Sequence, residues 1–341
     1  MTATTPQVSV EGITYELADL RSVVDIDRDL PNHAGRWANE SWFVVANLDA
    51  GDDRLGFQVH VLLMDLPGTG PVVSLNAVIV NESAGWSRAF EYVYPLDAIE
   101  ILDDRFSITT PEIELSGDRG RYSLSLRGDG VSLDISGVTT APPVLMNGQG
   151  QTLFIDVDQY EYAFPAMATT GSIVTETSTY EVSGISWLDR QWGDLPDFFS
   201  GAPADGGAFD TMNWMWSNLQ LDDGNNIALG QVRDIANHKI YLGLTAVDPD
   251  GTHVVVNVAE PLETGEHWTS PVTGRRYPTR CVFRAPQVGA ELIIEVPYKD
   301  QEIVSKVGGM TKYEGATVIT GTFRDQAITG RGYLELVGRW D

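Results

Sequence analysis

The chain carries a single cysteine, Cys281, in 341 residues. No intramolecular disulfide can form, and nothing in cysteine usage points to an oxidising compartment. Positive charge is scarce as well: 22 Lys and Arg stand against 48 Asp and Glu, a net charge of −26. A nucleic-acid binder needs a basic stripe to displace counterions from phosphates, and none is present. Anionic membrane surfaces are disfavoured for the same reason. The acidity reads as solubility. Lysine occurs only at Lys239, Lys299, Lys306 and Lys312, so a lysine in a pocket would be conspicuous. No run approaches the roughly 18 apolar residues of a membrane span. MTATTPQVSVEG has neither the basic nor the apolar region of a signal peptide. The expectation is a cytoplasmic protein without nucleic-acid partner or membrane insertion.

Helical periodicity is also missing. Only residues 20–30 and 155–168 admit a short helix. Elsewhere short alternating runs are punctuated by Gly, Asp, Asn and Pro, the pattern of β-sandwiches and barrels. In RLGFQVHVLLMD, Phe57, Val59, Val61 and Leu63 share one face, and Gln58, His60, Leu62 and Met64 the other. A βαβ rhythm is absent, as are Gly-rich phosphate loops and the GxSxG motif. The five histidines show neither HxH nor HExxH spacing. Asp52-Asp53, Asp103-Asp104 and Asp222-Asp223 sit with turn residues and lack calcium-loop spacing. Cys281, in RCVFRAP, reads as a buried, inert thiol. Neither metal nor cofactor is expected. The length suits two domains of about 150–180 residues. A polar stretch, TTGSIVTETSTYEVSG, places the boundary near residue 180, dividing the chain into 1–180 and 181–341.

What is abundant is tryptophan, nine in all. In TMNWMWSNLQ, alternation puts Trp214, Trp216, Asn218 and Gln220 on one face. Further on, Gln231 shares a face with Ile227 and Leu229. In GISWLDRQWGDLP, Trp187 and Asp189 share a face, and Trp192 follows. Amides among indoles would need buried partners in a packed core. A pocket for a mostly hydrocarbon ligand wants this mixture of flat apolar walls and a few aimed polar groups.

GISWLDRQW, residues 184–192, resembles the G-x-x-W-x-D-x-x-W signature of the lipocalin-like family that holds carotenoid 1,2-hydratase and the AttH-type proteins. ESWFVVANLD, VLMNGQGQ, YEYAFPAMATTGSI, HWTSPVTGRRYPT and the terminal YEGATVITG and GRGYLELVG agree, in family order. The resemblance implies an all-β fold of two lipocalin-like sandwich or barrel domains, side by side, with a ligand cavity. It implies either hydration of isoprenoid double bonds or pericyclic chemistry like that of decalin-forming Diels–Alderases. Family hydratases resemble W-x-D-H-x-W here, whereas this chain has Arg190. A guanidinium is no proton donor and would lower the Asp189 pKa. Asp189 and Arg190 are therefore expected to form a polar clasp between the domains. Lys312, with Tyr298 some fourteen residues before it, resembles the lysine and aromatic that grip the substrate in the Diels–Alderase branch. Glu40 and Trp42 resemble the first domain's share of that pocket, with Asn76 and His60 as further polar candidates. The expected function is a cofactor-independent [4+2] cyclase. Its partner is a hydrophobic polyene or polyketide-derived substrate bearing a tetronate or tetramate head group. The alternatives are a hydratase or cyclase of isoprenoid double bonds, and a non-catalytic lipophilic carrier. Oligomeric state stays open.

Overall fold

A computed structural model describes residues 14–17, 22–66, 70–154, 157–195, 212–234, 239–258, 262–307 and 310–340. The strands used below are β1 (Thr14–Leu17), β2 (Asn39–Ala50), β3 (Asp53–Leu66), β4 (Gly70–Asn81), β5 (Val157–Thr175), β6 (Thr179–Gly193), β7 (Met212–Leu221), β8 (Asn226–Asp234), β9 (Lys239–Val247), β10 (His253–Val258), β11 (Lys312–Phe323) and β12 (Gln326–Gly338). The chain is nearly all β, as expected, in two curled half-barrel sheets side by side. Among the described residues the first sheet has thirteen strands, with β4-β3-β2-β6-β5 at its centre; the second has eleven and runs β1-β10-β9-β8-β7-β12-β11 and onward.

The strands at the seam bury both faces, as the near-continuous burial of β2 shows. Its even residues, Trp42, Val44, Ala46 and Leu48, enter the first core. Its odd residues, Phe43 and Val45, join a separate cluster at the seam, with Trp187, Ala228, Ala316 and Tyr333. β7 divides likewise: Met215 and Leu219 fill the second core, while Trp216 packs at the seam. A strand buried on both faces loses the polar alternation of a surface strand. Gly56 on β3 marks a close approach of the two sheets: a Cβ there would lie 2.7 Å from the Tyr333 hydroxyl.

Two expectations are corrected. Residues 157–168 form the start of strand β5, not a helix. Tyr160, Tyr162 and Phe164 pack on the first core while Ala163 packs at the seam, so two-residue alternation prevails. A single α-helical turn does form at Ile26–Asp29, capped by the Asp25 side chain. The passage between sheets does not fall at residue 180. β6, which begins there, pairs with β5 along its length apart from one bulge, and with β2 from Ser183 onward. β1, from the chain's start, pairs with β10 in the second sheet.

Candidate active site

The seam encloses a cavity of about 550 Å³, within the range of small-molecule sites. The first sheet contributes Ser41 and Phe43 on β2, His60, Leu62 and Met64 on β3, Glu161 on β5, and Asp189 and Gln191 on β6. The second contributes Trp214 and Trp216 on β7, Gln231 on β8, Lys312 on β11 and Glu335 on β12. Gly230 and Gly243 face each other across β8 and β9. Nothing lies within 4 Å of where a Gly230 side chain would begin, so this pair keeps the wall beside Trp216 open.

Of the residues singled out from sequence, Lys312, His60, Asp189, Trp214, Trp216 and Gln231 line the cavity. The others do not, and for Glu40, Trp42 and Trp192 strand parity is the reason. Glu40 and Trp42 are even residues on β2 and point into the first core. Arg190 and Trp192 are even residues on β6 and do the same, while Asp189 points to the seam. The expected Asp189–Arg190 clasp between domains therefore does not form. Arg190 is fully buried; it pairs with Glu40 and donates to the Asp29 and Pro31 carbonyls at 2.9 Å each. Its guanidinium lies 4.3 Å from the Trp42 ring centroid and 5.0 Å from that of Trp192. It clamps the segment before β2 onto β6. Trp192 also stacks on Tyr160 at 5.7 Å. Trp187 packs behind the cavity and donates to Asp189 Oδ2 at 3.3 Å. Asn76 lies in a small adjoining recess and donates to Ser74. Asn218 accepts from the Tyr333 backbone N–H at 2.8 Å. Tyr298 is half-buried at the margin of the seam cluster, and its carbonyl accepts from Gln301.

Two groups of ionisable side chains meet in the cavity. One is a carboxyl pair, Glu161 and Asp189. Ala163 is the strand partner of Asp189, which sets Glu161 diagonally beside it on the same face. Burial pushes the Asp189 carboxyl up to about 7, while bonds from Trp187 and Glu161 oppose it. Burial, reinforced by the Asp189 charge, raises Glu161 well above the usual carboxyl range. The pair therefore keeps a proton through neutrality. The Arg190 guanidinium pairs with Glu40 on the other face of the strand, and it is the Arg190 backbone N–H that lowers Asp189 against burial.

The other group centres on Lys312. Its ammonium meets Glu314 Oε1 at 2.5 Å, Glu335 Oε2 at 2.9 Å and His60 Nδ1 at 2.9 Å. Burial alone would lower the lysine pKa, but the two glutamates outweigh it and raise it. Burial pushes Glu314 well up. Lys312 overcomes burial at Glu335 and brings it down to about 2. Trp214 Nε1 donates to Glu335 Oε1 at 2.8 Å. Burial and the Lys312 charge push His60 well down, so the imidazole is neutral. With its N–H groups committed, Lys312 is a buried bridge between sheets rather than a free grip for a head group.

Sequence reading missed Glu161, Glu314, Glu335 and Ser41. An acid flanked by apolar residues in a strand, as in YEYAF, YEGATV and YLELVG, is the signal that marks the three glutamates. Ser41 carries no such signal.

The family model described as AttH-like matches residues 21–339. The chain belongs to the AttH-like family. A curated relative, kievitone hydratase of Fusarium solani subsp. phaseoli, is 24% identical over 251 residues, 68% of this chain and 67% of that protein. Among solved structures, a protein described as AttH from Nitrosomonas europaea superposes with a TM-score of 0.79 at 20% identity, over 94% of this chain and 98% of that one. Kievitone hydratase from Nectria haematococca gives 0.76 at 18%, over 93% of each. CghA with Sch210972 gives 0.56 at 11%, over 93% and 94%. At these identities the structures establish a shared AttH-like fold.

Proposed function

We propose that this AttH-like chain is a hydratase, adding water across a carbon–carbon double bond of a hydrophobic small molecule held in the seam cavity. The observation that carries the reading is the Glu161–Asp189 pair, a carboxylic acid kept protonated near neutrality inside an aromatic-lined cavity. Alkene hydration needs such an acid. The pair gives its proton to one alkene carbon, and the π electrons form that C–H bond. The cation left on the other carbon lies among Trp216 and Phe43, whose ring faces attract positive charge. Water adds to the cation, and the proton it loses returns to the carboxylate. Kievitone hydratase as a relative supports the same class of reaction and makes kievitone the first probe.

A second reading, a [4+2] cyclase acting on a polyene, draws on the cavity volume and on the room beside Gly230. Holding a folded conformer is the main requirement of that chemistry, and it needs no acid. The fold shared with CghA, solved with a bound small molecule, supports small-molecule binding under either reading. The purified protein should add one labelled oxygen to kievitone from ¹⁸O-water. Asp189→Asn and Glu161→Gln should each lower kcat by about 10²–10⁴-fold. Full activity in both variants would eliminate the hydratase reading. A hydrophobic polyene cyclised by wild type and both variants alike would favour the cyclase.

A further inference from the structure

Ser41 and His60 stand in the cavity with Oγ and Nε2 2.7 Å apart. The contact has the look of a nucleophile and its base, but its proton inventory runs the other way. The other ring nitrogen, His60 Nδ1, lies 2.9 Å from the Lys312 ammonium. An ammonium has donors and no lone pair, so Nδ1 accepts. A neutral imidazole carries one N–H, which is then on Nε2. Nε2–H therefore donates to Ser41 Oγ, and the serine cannot give its own proton to the histidine. Ser41 is buried, and among the described residues His60 is the side chain's only hydrogen-bond partner.

We propose that Ser41 is the donor that fixes a carbonyl or hydroxyl oxygen of the substrate, as the last member of a one-way chain from Lys312 through His60. The chain sets direction by exclusion. Lys312 is locked between Glu314 and Glu335, and its position settles the tautomer. The tautomer leaves the serine hydroxyl as an unmatched donor in the cavity, where a substrate lacking an oxygen at that point would strand it. Ser41 is thereby a specificity residue and not a nucleophile. Other charged groups close to the imidazole are Glu335, which opposes the Lys312 effect on His60, and no second cation contacts the ring among the described residues. The inference rests on the hydratase reading only in taking this cavity as the substrate site.

Nitrogen-15 NMR of the histidine-labelled protein at pH 7 tests it without any substrate. The expected spectrum shows His60 neutral with its proton on Nε2; a proton on Nδ1, or a doubly protonated ring, overturns the proposal. Kinetics with kievitone give the second arm. Ser41→Ala should raise KM about three- to tenfold, the effect of one lost hydrogen bond, with a smaller change in kcat, and Ser41→Thr should restore it. An unchanged KM in Ser41→Ala, while Asp189→Asn still abolishes turnover, overturns the serine's role and leaves the hydratase reading standing. If wild type does not turn over kievitone, the hydratase reading fails, and the tautomer measurement alone decides this one. Stoichiometric labelling of Ser41 by a fluorophosphonate would also overturn it.

Discussion

Asp189 and Arg190 are neighbours in sequence with opposite electrostatic fates. Asp189 faces the seam, where burial raises its pKa to about 7; Arg190 faces the first core, where Glu40 compensates its charge. A carboxyl with a raised native pKa binds protons more tightly folded than unfolded. Its unfavourable contribution is absent below the ordinary aspartate value, grows as pH rises from there, and is complete above about 7. Stability of the wild type should thus fall between about pH 4 and 7 relative to Asp189→Asn, by up to about 1.4 kcal/mol per pH unit. Thermal melts of the two proteins across that range give the comparison, and parallel curves would place the proton elsewhere. Hydration should fade as pH rises through about 7, because the acid must hold its proton to act.

At the scale of the strand, parity decides which side chains meet a ligand. The β texture, the order of strands and the residue types of the site were legible in the sequence, because two-residue alternation and turn residues are local. The assignment of faces was not. β2 and β6 bury both faces, so no polar row marks the outside, and Glu40, Trp42 and Trp192 look as suited to a pocket as Ser41, Phe43 and Asp189. Only strand pairing separates them. Glu161 was hidden by a different ambiguity: a stretch that admitted a helix assigns no face to an acid. Two glycines give the element-scale test. Gly230→Leu has open space at Cβ, so it should block kievitone turnover at least about tenfold while thermal stability is retained. Gly56→Ala meets the Tyr333 hydroxyl at 2.7 Å and the Ala46 carbonyl at 3.1 Å. It should cost about 1–3 kcal/mol by denaturant titration. Loss of stability in the first or none in the second would contradict the packing of the seam.

The whole molecule is tied together across its seam by polar contacts as well as by the Phe43–Trp187–Tyr333 cluster. Gln220 donates to the Pro165 carbonyl at 2.7 Å, the Leu145 N–H donates to His253 at 3.0 Å, and Lys312 reaches His60. Lys312 was expected from its resemblance to grip a substrate; its setting ties it to the fold as well. Lys312→Met strands the Glu335 carboxylate in the seam, and breaking a buried pair from one side costs about 3–5 kcal/mol. Chemical unfolding should show that loss in the substrate-free protein, and a variant as stable as wild type would mean that Glu335 is not charged against the lysine. Among the described residues no helix is long and apolar enough to cross a membrane.

All of this chemistry depends on a neutral carboxylic acid persisting in the cavity near physiological pH. Infrared difference spectroscopy reads that state directly. At pH 6 the wild type should show a protonated-carboxyl stretch that Asp189→Asn and Glu161→Gln each alter, and part of it should titrate away near pH 7. A wild-type spectrum with every carboxyl ionised by pH 5 would contradict it.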